Sequence, residues 1–139
     1  LMISTNGFTD TKPLRIVSIS PSLTEILFAI GAGTQVVAVD SYSTYPKEAP
    51  ITLLSSLQPS IEAIATFEPD LVLLSYDIGD LVKGLNTVGI ETMLMPAPVD
   101  FEEILLQIKN IGRRTGNFEE SNKLVNKMKI EMKNLIEYQ

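Results

Sequence analysis

Apolar positions along the chain alternate between two patterns, short unbroken runs and longer stretches with three-to-four spacing. The runs are Ile16, Val17 and Ile19, then QVVAV from Gln35 to Val39, LVLL from Leu71 to Leu74, and IETMLM from Ile90 to Met95. Short β-branched or uniformly apolar runs of this kind fit strands of a parallel sheet covered on both faces. Between them the spacing becomes helical. Leu23, Ile26, Leu27 and Ile30 form one such stripe, Ile61, Ile64, Ala65 and Phe67 a second, and a third helix is expected from about Ile78 to Val88. Ile104, Leu105, Ile108 and Ile111 make a fourth, and Leu124, Met128, Met132 and Leu135 a fifth that runs to the end of the sequence. Ile51 to Leu54 offers one more brief strand.

Turn and cap residues bound these elements. Pro21 removes a ladder donor and keeps Ser20 out of the helical region, so the first strand ends there. Ser22 to Glu25 spells S-x-x-E, which predicts a capping box, and Gly31 or Gly33 supplies a left-handed stop. Pro59 or Ser60 opens the second helix and Pro69-Asp70 closes it, while Gly89 closes the third. Asp100 to Glu103 is a D-x-x-E box, with Arg113 and Arg114 suitably placed near the carbonyls at the far end of that helix. Asn117 to Glu120 caps the last helix, which meets no stop signal before Gln139 and therefore predicts a helix that continues further.

Strand alternating with helix gives the fold class: α/β, a parallel sheet of four to five strands flanked by helices with right-handed crossovers. Ligands of such sheets gather at the carboxyl ends of the strands. Here those ends are Ser20-Pro21, Asp40 to Tyr45, Ser75-Tyr76 and Pro96-Ala97.

Composition narrows the chemistry. At 139 residues, 45% of them hydrophobic, the chain has the size of one domain with a real core, and its net charge of −6 favours solubility and disfavours nucleic acid. It has no cysteine and no histidine, which removes disulfides, thiolate metal sites, Ser-His-Asp triads and the commonest zinc ligands. No run approaches the roughly twenty apolar residues of a membrane span. The first dozen residues lack a basic start and an apolar core, so neither a secretory leader nor a lipid anchor is expected within them.

Enzyme signatures are absent from the positions that would carry them. Gly31-Ala32-Gly33 follows a helix instead of linking a strand to one, and no phosphate loop with Gly-Lys-Ser/Thr exists. Ser20 and Ser22 lie at a strand-helix junction, as an esterase nucleophile would, but without G-x-S-x-G or a histidine. Tyr42 and Tyr45 sit in a polar loop, where rings serve as packing or as ligand contacts, and Glu62 early in its helix is favoured by the dipole. These residues alone lead to a soluble α/β binding lobe.

Four segments, in order, resemble the N-terminal lobe of the substrate-binding proteins that serve ABC importers of cobalamin, ferric siderophores and haem. They are RIVSISPSLTEILFAIGAG, VVAVDSYSTYP, QPSIEAIATFEPDLVLLSY and LNTVGIETMLM, and the likeness runs from about Leu14 to the end. In that family two α/β lobes joined by one long helix hold ligand between them. The resemblance implies an N-terminal extension over 1–13, a ligand-binding lobe over 14–117, and the start of the interlobe helix over 118–139, with the second lobe absent.

Position by position, the resemblance makes Glu62 the carboxylate that docks on arginines of the membrane permease, and Tyr42 a loop aromatic of the cleft. Ser20 and Pro21 match the turn at the cleft floor, and Tyr76 follows Ser75 at the third strand end. Ser56 and Ser75 stand where relatives often place large rings, which leaves the ligand open among ferric siderophore, haem and cobalamin. The lack of histidine argues against the related zinc and manganese carriers.

The expected function is thus a non-catalytic, extracytoplasmic solute-binding component, periplasmic or held at the cell surface as a lipoprotein. Its expected partners are an ABC permease and ATPase and a small metal chelate, with no resident cofactor or metal and with self-association through the C-terminal helix. The rival is a flavodoxin-like regulatory or enzymatic domain. A receiver of that type needs clustered acids at one strand end and a lysine at another, and Asp40 and Asp77 have no such lysine.

Overall fold

Four of the apolar runs form strands: β1 (Ile16–Ser18), β2 (Val36–Val39), β3 (Leu71–Leu74) and β4 (Glu91–Leu94). The computed structural model describes residues 14–138; the expected N-terminal extension, 1–13, and residue 139 lie outside the described residues. All neighbouring strands pair in parallel in the order β2-β1-β3-β4. The helices between and after them are α1 (Pro21–Ala29), α2 (Ile61–Ala65), α3 (Leu81–Thr87), α4 (Phe101–Thr115) and α5 (Phe118–Glu137).

Period-two alternation sends successive strand residues to opposite faces. Ile16, Leu71 and Leu73 pack under α1, α4 and α5 with Leu23, Leu27, Ile108 and Ile111. Val17, Val72 and Leu74 pack on the other side against Ile64 of α2 and Leu81 and Leu85 of α3. Burial of each such side chain contributes about 1.5–3 kcal/mol before chain entropy is subtracted. The double cover explains why β3 is apolar at every position.

The caps separate local from tertiary causes. Ser60 caps α2 by accepting from the Ala63 amide at 3.1 Å, and Asp100 caps α4 by accepting from the Glu103 amide at 2.9 Å. The expected Ser22–Glu25 box does not form. Helix α1 starts two residues earlier, with Pro21 in its first turn and extended Ser20 at the cap position, because a proline without an N–H fits the first helical position. Gly31, at φ +83°, turns the chain out of α1.

Two other local expectations are corrected. Ile51 to Leu54 is no strand but runs beside β2 through a single bridge between Asp40 and Leu54. Asn117 precedes α5 yet caps no amide, since its Nδ2 donates to Gln35 Oε1 at 2.8 Å and Thr115 Oγ1 at 2.9 Å. Arg113 and Arg114 do stand in the last turn of α4, as expected, but their guanidinium groups meet partners elsewhere. Arg114 pairs with Glu91 on β4, and Arg113 lies 5.0 Å from the centre of the Phe118 ring.

The long last helix is covered unevenly. Ser121 and Val125 are buried against α4, Leu124 and Met128 pack at the edge of the core, and Leu135 is 62% exposed. Gly112 of α4 allows the close approach, since a Cβ there would collide with Ser121.

Candidate functional site

The strand order places a switch point between β1 and β3. From β1 the chain goes to β2 on one side, then crosses back to β3 on the other. Loops leaving β1 and β3 therefore diverge and open a crevice at the carboxyl edge of the sheet. A cavity of about 670 Å3 lies there, within the range of small-molecule sites.

The turn after β1 contributes Ser20, Pro21 and Ser22 to its floor, and the turn after β3 contributes Ser75 and Tyr76. Ser75 Oγ donates to Ser20 Oγ at 2.9 Å, and Ser20 Oγ lies 3.2 Å from Ser22 Oγ, so three hydroxyls make one hydrogen-bonded strip. Ser56 and Leu57 enter from the loop before α2, Ile78 and Leu81 from the start of α3, and Met95, Ala97 and Pro98 from the segment after β4. The walls are thus mainly aliphatic and proline-rich. No lining residue is an aspartate, glutamate, lysine or arginine.

Ser20, Pro21, Ser56, Ser75 and Tyr76 are brought together in this cavity. Tyr42 does not line it. That ring stands 63% exposed on the loop after β2, one strand to the side, and Tyr45 lines a separate hollow beside Phe28. Glu62 lies exposed in the first turn of α2, where the Ser60 hydroxyl reaches its Oε1 at 3.4 Å. Among the described residues it forms no ion pair; the pairs found are Glu91–Arg114 and Glu120–Lys123.

Behind the strip lies a buried polar relay. Asp40, 1% exposed, accepts from Ser43 Oγ and, at 3.2 Å, from the Tyr42 amide. Ser43 Oγ meets Thr24 Oγ1 at 3.0 Å, Thr24 Oγ1 donates to Ser18 Oγ at 2.8 Å, and Ser18 Oγ donates to Ser20 O at 3.3 Å. The relay ties the loop after β2 to the cleft floor. Asp40 is therefore engaged internally, while Asp77 spends one oxygen on the Val82 amide at 2.9 Å. Among the described residues no three histidine, cysteine or carboxylate side chains cluster as a metal site.

Sequence reasoning missed Leu57, Met95, Pro98 and Gln107. Met95 and Pro98 flank the strand end at Pro96-Ala97, which does carry a signal, whereas Gln107 lies in mid-helix and carries none.

A family model described as periplasmic binding protein matches residues 16–135. The chain belongs to the periplasmic binding protein family. An uncharacterized ABC transporter substrate-binding lipoprotein of Bacillus subtilis is 33% identical over 131 residues, which are 91% of this chain and 42% of that protein. A cobalamin-binding protein of Halobacterium salinarum is 32% identical over 78% of the chain and 31% of its own length. The chain spans less than half the length of both curated relatives.

Solved periplasmic binding proteins share the fold. A periplasmic solute-binding protein from Staphylococcus epidermidis superposes with a TM-score of 0.83 at 25% identity, over 92% of this chain and 52% of that one. The periplasmic vitamin B12 binding protein of Vibrio cholerae gives 0.76 at 27% identity, over 87% of this chain and 49% of that one. Membership does not favour the receiver-like alternative.

Proposed function

We propose that the protein is the solute-binding component of an ABC importer, holding a ferric siderophore, haem or cobalamin between this lobe and a second one. One observation carries the reading: an apolar cavity, floored by serine hydroxyls, opens at the switch point of a periplasmic binding protein sheet. Relatives named for cobalamin and vitamin B12 binding support it. Residues 14–117 form the ligand lobe, and α5 begins the interlobe helix over 118–139. Its distal apolar residues Ile130, Leu135 and Ile136 are exposed, as expected of a helix that a second lobe covers. The isolated lobe is expected to self-associate through them, which sedimentation at several concentrations tests; a strict monomer contradicts it.

Ser20, Pro21, Ser56, Ser75 and Tyr76 meet the ligand. The protein is a carrier and not a catalyst, a reading supported by relatives named for substrate and cobalamin binding. It works outside the cytoplasm, in a periplasm or on the cell surface as a lipoprotein. Glu62 docks on arginines of the permease, where a charge-assisted pair is worth far more than the dipole gain of about 0.3–1 kcal/mol it has in the free lobe.

Titrating this chain and the full-length protein side by side with cobalamin, haem and ferric siderophores tests the reading. The full-length protein binds one of them, and this lobe alone binds far more weakly. Glu62→Ala leaves affinity and melting temperature unchanged and slows uptake. Submicromolar binding by the lobe alone removes the two-lobe site, and uptake indifferent to Glu62 removes the docking role.

A further inference from the structure

The cavity has an electrostatic character and one unsatisfied group, and the two together narrow its ligand. No lining residue carries a formal charge. The only charged residues next to a lining residue in the sequence are Asp77 and Asp80, both exposed in the turn between β3 and α3. An anionic chelate would shed hydration to enter aliphatic walls and meet no cation from this lobe, on a chain of net charge −6. A neutral ligand incurs none of these penalties.

Gln107 is the unsatisfied group. It lines the cavity from α4 and is only 8% exposed. Its Nε2 donates to Pro96 O at 2.6 Å, and because a carbonyl only accepts, that bond fixes which end of the amide is which. Among the described residues nothing donates to Oε1. Buried amide oxygens keep a partner in folded proteins, and here solvent supplies it when the cleft is empty and a ligand N–H or O–H when it is full. The serine strip across the floor, where the Ser22 hydroxyl is exposed, complements this with groups that both donate and accept.

We propose that this cleft takes an uncharged, amide-bearing chelate in preference to an anionic one, and that Gln107 reads the ligand's hydrogen-bond donors through Oε1. The inference rests on the carrier reading and narrows its ligand. Among the chelates considered, a corrinoid with peripheral amides fits this description; haem, with two carboxylates, does not.

A matched series on one corrin body tests it in the full-length protein by calorimetric titration: dicyanocobinamide with amide side chains, dicyano-cobyrinate heptamethyl ester with acceptor-only esters, and the free heptacarboxylate. The amide form binds about tenfold tighter than the ester, and the carboxylate binds weakest. Gln107→Met reduces the amide-to-ester gap to within about threefold, whereas a merely structural loss would weaken both ligands alike and keep their ratio. The ranking in the unmodified protein does not depend on that variant folding. Carboxylate binding as tight as the amide form overturns the charge argument, and a gap that survives in Gln107→Met overturns the role of Gln107. If haem or an anionic ferric siderophore binds and the corrinoids do not, this inference falls while the carrier reading stands; if none binds, the carrier reading falls with it.

Discussion

Ser75 donates its hydroxyl proton to Ser20 across the gap where β3 and β1 part, at 2.9 Å, so the two loops that leave the switch point are pinned to each other at the cleft floor. Ser75→Ala removes one neutral, partly buried hydrogen bond and leaves Ser20 beside Ser22. The expected loss is about 0.5–1.5 kcal/mol in urea unfolding. A loss above about 3 kcal/mol would mean that the strip is a folding element and not a floor for ligand.

Thr24 is the inner joint of the relay. It is fully buried and bonds both Ser18 and Ser43. Thr24→Val keeps its shape and removes the contacts to Ser18 and Ser43, whose hydroxyls keep Ser20 O and Asp40, so about 1–3 kcal/mol of stability should go for the two bonds, with the loop after β2 loosened from the floor. Hydrogen exchange at the Tyr42 and Ser43 amides is the readout. Exchange that does not quicken contradicts the coupling.

The contact between α4 and α5 depends on Gly112, where an added methyl would overlap Ser121. Gly112→Ala is expected to cost about 1–3 kcal/mol by overpacking, against the usual gain of alanine in a helix. A stabilised variant would show that α5 is free to move away.

The Glu91–Arg114 pair links β4 to α4. The Arg114 hydrogen bond holds the Glu91 carboxyl below its ordinary value, outweighing a small opposing effect of burial. A lowered carboxylate stabilises the fold above the unfolded pKa and loses that effect as pH falls through the folded one. Both partners are partly exposed, so the gain is under about 1 kcal/mol. Glu91→Gln should therefore be slightly less stable than the parent at pH 7, and the gap should close in acid, as pH falls from the unfolded pKa through the lowered folded one. A gap that widens in acid reverses the sign and refutes the pairing.

What the sequence made legible follows from range. The β3 strand, the Ser60 cap and the Asp100 cap depend on neighbours within a few residues, and all three are where the pattern places them. The Asn117 cap failed and the partner of Arg114 went unread because each side chain is taken by a residue far along the chain, Gln35 at a separation of 82 residues and Glu91 at 23. The strand-end rule found the cleft floor but also pointed to the loop of Tyr42. Strand order, which puts β2 at the sheet edge, is invisible in a sequence and moves that loop aside. Gln107 reads as one polar position in an amphipathic helix until the Pro96 to Pro98 segment folds over it.

The central claim is that a metal chelate binds at this cleft, and Leu57 offers the most direct test. It lines the cavity yet is 64% exposed, so Leu57→Asp changes the site with little effect on the fold. Calorimetric titration of the full-length protein with cobalamin, haem and ferric siderophores, parent against Leu57→Asp, is the decisive measurement. The parent should bind one chelate with a submicromolar Kd, and the variant about tenfold or more weaker at an unchanged melting temperature. Equal affinity in parent and variant, or no chelate bound by either, would contradict the account.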